Sequence, residues 1–342
     1  MLRRTFIASG AVALAAAAQE NSMLKPGIDL FSIRDSGWTP FEYLDYAAKL
    51  RAQVVHFSEI RFIGGLEEAN LRQVRAHAGK LGIEVEIGMK SICPSSKMFE
   101  ASQGTAEQQL ERMLIAANTV GSKIVRCVLG SSADRTGDVP IEGHIENMVK
   151  VLRNMRSKVM DHGLKIAIEN HAGDMQAREL KMLIEEAGKD FTGACLDSGN
   201  PLWTIEDPHL TLETLAPYVL TSHIRDTAVW RIPEGAAVQW TRMGDGNIGI
   251  ADYVRRYAQL CPGRAISLEI IVTGPRKFPY LDPKFWDGYR HDPAWEFSRF
   301  LKLVENGAPH PPPPSVPKEQ ITAKQREDLE ASMRWTRELL KI

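Results

Sequence analysis

The stretch Lys165–His171, KIAIENH, decides how the rest of the chain is read. It has the apolar character of a short buried strand and runs directly into a carboxylate (Glu169), an amide (Asn170) and an imidazole (His171). Strand side chains alternate between faces, so Ile166 and Ile168 share one face while Ala167 and Glu169 share the other. Three later stretches repeat the plan: GACLDSGN carries Asp197, LTSHIRD carries His223 and ISLEIIV carries Glu269. Two positions before each polar residue stands a small one, Ala167, Cys195, Thr221 or Ser267. Four consecutive strands therefore present Glu, Asp, His and Glu at matching heights on matching faces. Burying three carboxylates together without a counter-charge is strongly unfavourable, and a divalent cation resolves the conflict.

Working outward, eight strand-like runs appear: Gly27–Ile33, Val54–Ile60, Ile83–Met89, Lys123–Leu129, Lys165–Asn170, Gly193–Asp197, Val219–Ile224 and Ala265–Val272. Between them lie stretches with apolar spacing near 3.6, the signature of amphipathic helices. The clearest are Pro40–Leu50, Leu66–Leu81, Ala106–Val120, Ile141–His162, Ala177–Ala187, Leu210–Ala216, Ile250–Leu260 and Pro293–Val304, and Gly82, Gly121 and Gly163 mark helix stops. Eight strand–helix pairs in order predict an α/β fold, a (β/α)8 TIM barrel with one extra C-terminal helix. An open doubly wound sheet fits less well, because no glycine-rich phosphate loop follows the first strand. In a barrel, catalytic groups sit at strand C-termini, where Glu169, Asp197, His223 and Glu269 fall.

Two connections are long. Asp226–Gly249 contains Trp230, Trp240 and a tight GDG turn, and Thr273–Asp292 contains Phe278, Tyr280, Phe285, Trp286 and Tyr289. Connections of this length in a compact domain usually carry function. Their aromatics are expected either to form lids over a ligand or to pack onto the outer helices.

Three carboxylates and one imidazole suit a single divalent ion with positions left open for substrate oxygens. Mn²⁺ is the expected ion, with Mg²⁺, Co²⁺ and Zn²⁺ as alternatives; zinc more typically brings additional nitrogen or sulfur.

The motifs IAIENH, CLDSGN, SHIRD, MGDGNI at Met243–Ile248, and SLEI resemble those of the xylose isomerase-like TIM-barrel superfamily. They are closest to its sugar isomerase and epimerase branch. The resemblance spans Gly27–Val304 and implies that Glu169, Asp197, His223 and Glu269 bind one metal. It further implies removal of an α-proton from a ketose or keto-sugar, with Glu169 and Glu269 as the acid–base pair. Some members carry a histidine three positions after the metal aspartate, where this chain has Asn200. Several have an arginine shortly after the metal histidine, a part open here to Arg225 or Arg231. His171 is expected either to hydrogen-bond substrate or to orient Glu169. From their positions near the ends of strands two to four, His56, Lys90 and Arg126 are expected either to line the pocket and bind hydroxyls or a phosphate, or to be solvated or structural residues. The same chemistry also serves a lyase or dehydratase that eliminates a group β to the carbonyl. A non-catalytic sugar-binding barrel needs no complete metal set. A barrel endonuclease resembling endonuclease IV needs further histidines, and strand three here ends in Met89-Lys90.

Residues 1–18, MLRRTFIASGAVALAAAA, read as a twin-arginine-type export signal with a small-residue cleavage site, which places the mature protein in a bacterial periplasm or outside the cell. Removing them deletes two arginines and no acid, taking the net charge from −1 to −3. No stable membrane insertion is expected afterwards. A near-neutral chain also argues against nucleic acid as a partner. The barrel is expected over 24–306, a proline-rich linker over 307–317 and a terminal helix over 318–342, with homo-oligomerisation left open. None of the four cysteines forms a CxxC pair; Cys127 and Cys195 read as buried thiols.

Overall fold

The computed structural model describes residues 24–342, so the export-type segment read at 1–18 lies outside the described residues. Eight parallel strands form the central sheet: β1 (Lys25–Asp29), β2 (Val54–Phe57), β3 (Glu84–Ser91), β4 (Ile124–Val128), β5 (Lys165–Glu169), β6 (Thr192–Asp197), β7 (Val219–His223) and β10 (Ala265–Leu268). β10 pairs with β1, and the ring is closed on its other side just beyond β7. There the Ile224 amide donates to the Ser267 carbonyl at 2.8 Å and the Glu269 amide donates to the Ile224 carbonyl at 3.1 Å. Closure thus occurs at the level of His223 and Glu269, which fixes these two side chains relative to each other. The result is a TIM barrel.

The helices are α1 (Pro40–Lys49), α2 (Glu68–Leu81), α3 (Ala106–Val120), α4 (Ile141–Asp161), α5 (Ala177–Ala187), α6 (Pro208–Leu215), α7 (Ile250–Leu260), α8 (Ala294–Glu305) and α9 (Ile321–Leu340). Their boundaries follow local chemistry. Thr39 and Thr105 open α1 and α3 with capping boxes completed by Glu42 and Gln108. Gly82 and Gly121 close α2 and α3 in the left-handed region, at φ 68° and 86°. The inner faces, such as Leu110, Met113, Leu114 and Ala117 of α3, pack on the strands in one continuous core.

Three features depart from the sequence reading. The first strand stops at Asp29 and gives way to a 3₁₀ turn over Leu30–Ile33, in which the Asp29 carboxylate caps the Phe31 amide at 2.7 Å. The stretch read as a long connection after Ile224 is a hairpin, β8 (Asp226–Ile232) and β9 (Gly235–Thr241). With β11 (Arg276–Phe278) from the second long connection it makes a separate three-stranded antiparallel sheet. Finally, α8 packs against β8 rather than on the barrel strands, while α9 lies against β10 and the turn after β1. The helix read as an extra therefore covers the seam where the last barrel strand meets the first.

Helix α9 is held there by polar clamps at both ends. Gln325 Nε2 donates to Asp35 Oδ2 at 2.5 Å, and Arg337 donates to the Leu50 and Arg51 carbonyls at 3.0 and 3.1 Å. Leu329 and Met333 are buried beneath it. The proline-rich segment before it has no regular secondary structure but is tied down, because Gln239 Nε2 donates to the Pro311 carbonyl at 3.0 Å. All four cysteines are free and buried. Among the described residues, no helix is long and apolar enough to cross a membrane.

Leu329 is fully buried in this seam. Leu329→Ala is therefore expected to lower unfolding free energy by about 2–5 kcal/mol, the usual range for a buried leucine. Equilibrium urea denaturation followed by circular dichroism measures it, and a loss below about 1 kcal/mol would contradict a seam-sealing role for α9.

Candidate metal centre

The strand C-termini meet at one mouth of the barrel. Glu169, Asp197 and His223 are the last residues of β5, β6 and β7, and Glu269 directly follows β10. The register is staggered rather than level: Glu169 lies beside Cys195, whereas Asp197 lies beside His223. Strand tilt nevertheless brings the four side chains together, since a barrel layer draws on strands of different register. One donor atom from each lies within 4.8 Å of the others, and all four residues are buried. Opposed donors about 2.1 Å from a shared ion stand roughly 4.2 Å apart, so the grouping matches one ion's shell.

His223 supplies a further test of fit. Its Nδ1 is buried without a hydrogen-bond partner and faces Glu169 Oε2 at 3.0 Å and Glu269 Oε2 at 3.5 Å. Its Nε2 lies 2.8 Å from His56 Nδ1 and 3.4 Å from Asp29 Oδ2. The hydrogen-bond network then assigns the proton of a neutral ring to Nε2, donated to His56, and leaves the Nδ1 lone pair for a cation. The donor set fits a divalent ion.

Neighbouring groups fix each carboxylate. Asp197 Oδ1 accepts the Gly199 and Asn200 amides, both at 2.7 Å, and Asn170 clamps the Asp197 backbone with reciprocal bonds of 2.9 Å. Glu169 Oε2 accepts Arg126 Nε at 2.6 Å, and its Oε1 accepts Asn200 Nδ2 at 3.2 Å. Arg225 Nη2 bridges Asp197 Oδ2 and Glu269 Oε2. Gly199 makes room for Arg225: a Cβ there would stand 2.5 Å from Arg225 Cγ.

These surroundings drive the two glutamates apart electrostatically. Burial would raise the Glu169 carboxyl, but Arg126 and His223 outweigh it and hold Glu169 well below the usual carboxylate range. Burial pushes Glu269 up to about 8, against the pull of Arg225 and His223. Burial likewise raises Asp197 despite Arg225. His223 is lifted well above its ordinary value: burial opposes this, and Cys195, Glu169 and Asp29 overcome it.

The other residues singled out by sequence separate into two groups. Arg126, Arg225, Asn200 and His56 are buried and touch members of the cluster. His171 is half-buried, with Nδ1 hydrogen-bonded to the Gly130 carbonyl at 2.7 Å rather than to Glu169. Arg231 is not brought to the site. It lies on the outward hairpin, paired with Glu305 at 2.6 Å, because β8 leaves the barrel after Asp226. Lys90 is exposed and paired with Glu100 at 2.5 Å.

Sequence reasoning missed Asp29 and Glu86, both of which reach the interior beside His56. Burial raises Glu86 to about 7. Its alternation with Val85 and Ile87 resembles a solvated face, but a parallel barrel strand is covered on both sides. The aromatics of the two long connections divide. Trp240 stacks on Trp203 at 4.2 Å and covers Arg225, whereas Tyr280 and Trp286 pack on Phe297 of α8 at 5.3 and 4.9 Å.

Known proteins place this architecture. A 3-oxo-isoapionate decarboxylase from Pectobacterium atrosepticum is 23% identical over 188 residues, which take in 55% of this chain and 61% of that protein. The chain thus spans less than two thirds of that relative's own length. A structure of D-psicose 3-epimerase determined with D-fructose superposes over 93% of this chain and 99% of its own, at 17% identity and a TM-score of 0.60. The IOLI protein, determined with a bound zinc atom, superposes over 82% of this chain and 96% of its own, at 14% identity and a TM-score of 0.54. At such identities the likeness is one of fold. Residues 42–286 match the family model for the xylose isomerase-like TIM barrel, and the chain belongs to that family.

Proposed function

We propose that this protein is a divalent-metal-dependent isomerase or epimerase of a ketose or keto-sugar. The observation that carries the reading is the convergence of Glu169, Asp197, His223 and Glu269, with the two glutamates shifted in opposite directions. A divalent cation held by these four residues would polarise a carbonyl oxygen and offset developing negative charge. Mn²⁺ is the ion we favour. Arg126 keeps Glu169 ionised, so Glu169 is the group suited to take a proton from the carbon next to the carbonyl. Glu269, the second glutamate of the cluster, is suited to exchange a proton with the substrate as its partner. Two carboxylates facing one substrate in this way can serve as base and acid in turn. Asn200 and Arg126 hold Glu169 in place for the transfer, and Arg225 does the same for Glu269. Burial of the whole cluster excludes water, which would otherwise quench the carbanionic species.

A second reading, a lyase at the same site, is favoured by the similarity to a decarboxylase, since loss of CO₂ from a carboxylate β to a carbonyl leaves an electron pair of the same kind as loss of a proton does. Incubation in D₂O separates the two. Epimerisation returns isomers carrying solvent deuterium at the exchanged carbon, and elimination returns a product with one group fewer.

Two outcomes are expected. Glu169→Gln and Glu269→Gln should each reduce deuterium exchange by about 10²–10⁴-fold, the usual worth of a positioned acid or base. Retention of wild-type exchange in either would remove that residue from the pair. Asp197→Asn and His223→Ala should weaken Mn²⁺ binding as well as exchange. Metal affinity should also depend on pH. Both Glu269, raised to about 8, and His223, raised above its ordinary value, must lose protons to bind a cation. The apparent Mn²⁺ affinity should therefore rise as pH increases through 8 and fall by up to about tenfold per unit below it for each proton displaced. Calorimetric titrations from pH 6 to 9 measure this, and a flat profile would contradict the ligand assignment.

A further inference from the structure

We propose that Cys195 gives this centre a second, overlapping ion position, in which Glu169, Cys195 and His223 take a thiophilic divalent cation such as Zn²⁺ or Cd²⁺. The inference rests on the metal-site reading above for Glu169 and His223, and it adds a sulfur ligand that the four-residue set lacks.

The stagger of the strands creates this position. Glu169 is level with Cys195, and Cys195 is level with Thr221, two residues below Asp197 and His223. Two strand residues separate the levels by about 6.6 Å and return to the same face. The thiol therefore faces the barrel interior beneath Asp197. One donor atom from each of Glu169, Cys195 and His223 lies within 4.8 Å of the others, and all three residues are buried. The four-residue set is grouped no more tightly than this. With sulfur about 2.3 Å and nitrogen about 2.1 Å from a zinc-type ion, opposed donors stand roughly 4.4 Å apart, so small side-chain movements close the shell.

The surroundings single out this thiol. Of the small residues two positions before the polar strand ends, Ala167, Cys195, Thr221 and Ser267, Cys195 alone offers a soft donor. It packs on Ile124, Ala167 and Leu220, none of which brings a polar side chain. His223 Nδ1, buried without a hydrogen-bond partner, is aimed at Glu169 from 3.0 Å, so its lone pair serves an ion at either level.

Ligand softness sorts the ions. Mn²⁺ and Mg²⁺ favour carboxylate oxygen and take the upper set. A thiophilic ion gains by moving down, where its bond to Sγ forms as the thiol proton leaves for solvent. Glu169 and His223 belong to both sets, so one ion excludes the other. An ion in the lower position is lost to Asp197 and Glu269, and the centre is shut rather than activated.

The test titrates the metal-free full chain with CdCl₂. A cadmium–sulfur bond reads as a thiolate-to-metal charge-transfer band in the ultraviolet, and the wild type should develop it at one equivalent. Cys195→Ser and Cys195→Ala should each abolish the band. Each should also lower the ratio of Cd²⁺ to Mn²⁺ affinity at least about tenfold, since a lost ligand costs more than a lost outer partner. Cys93, whose sulfur lies 3.8 Å from His144 Nδ1, is the competing thiol, and Cys93→Ser should keep the band. Cd²⁺ should also suppress deuterium exchange by the Mn²⁺-loaded protein, less so in the Cys195 variants. Absence of the band in the wild type overturns the proposal whether or not the variants fold. So does a band that survives both Cys195 variants or vanishes with Cys93→Ser. Mn²⁺ binding without a cadmium–sulfur band sinks this proposal alone. A band lost with Cys195, in a protein that does not bind Mn²⁺, sinks the four-residue reading and leaves the sulfur position standing. Binding of neither ion sinks both.

Discussion

The mouth of this barrel depends on a charge problem. Glu169, Asp197 and Glu269 are brought close together inside a protein interior, where like charges repel and burial weakens solvent screening. Arg126 on β4 and Arg225 just after β7 supply part of the answer, each reaching carboxylates on neighbouring segments. The orphaned Nδ1 of His223 marks where the rest is expected to come from. Much of the local architecture can be understood as holding these groups in place despite their repulsion. Asn170 locks the Asp197 backbone, Gly199 admits the Arg225 stem, and the β7–β10 closure sets the spacing of His223 and Glu269.

The same layer extends downward. TIM-barrel interiors are usually filled by branched apolar side chains. Here the layer beneath the cluster contains Asp29, His56, Glu86 and Thr221, linked in part by a 2.7 Å bond from Thr221 Oγ1 to Glu86. Part of the stability normally contributed by apolar packing is given up to orient one histidine from below. The compensation is on the outside, where the helices bury a continuous apolar core against the strands.

The fold was largely legible because its signals are repetitive. Alternation of strands with amphipathic helices gives the barrel, and apolar spacing places the starts of α1 and α3 at Pro40 and Ala106. The four polar strand ends were legible for a related reason: each follows a small residue and interrupts an aliphatic run. Less legible was whatever depends on register or on contacts far apart in sequence. The stagger between β5 and β6 has no local signature. Asp29 and Glu86 look like ordinary polar residues until a closed barrel surrounds them. The hairpin β8–β9 was hidden by its position, since a period-2 pattern between a strand and a helix is readily taken for a connection. Arg231 fails for the same reason: sequence places it near His223, and the hairpin carries it away.

The seam between β10 and β1 joins the last barrel strand to the first, and α9, drawn from residues 321–340, covers it. A chain emerging from the ribosome exposes β1 early and must wait for nearly every other residue before that edge is covered. An uncovered strand edge is a site for unwanted association. Translation order therefore leaves this edge of the first strand open until the last helix has been made.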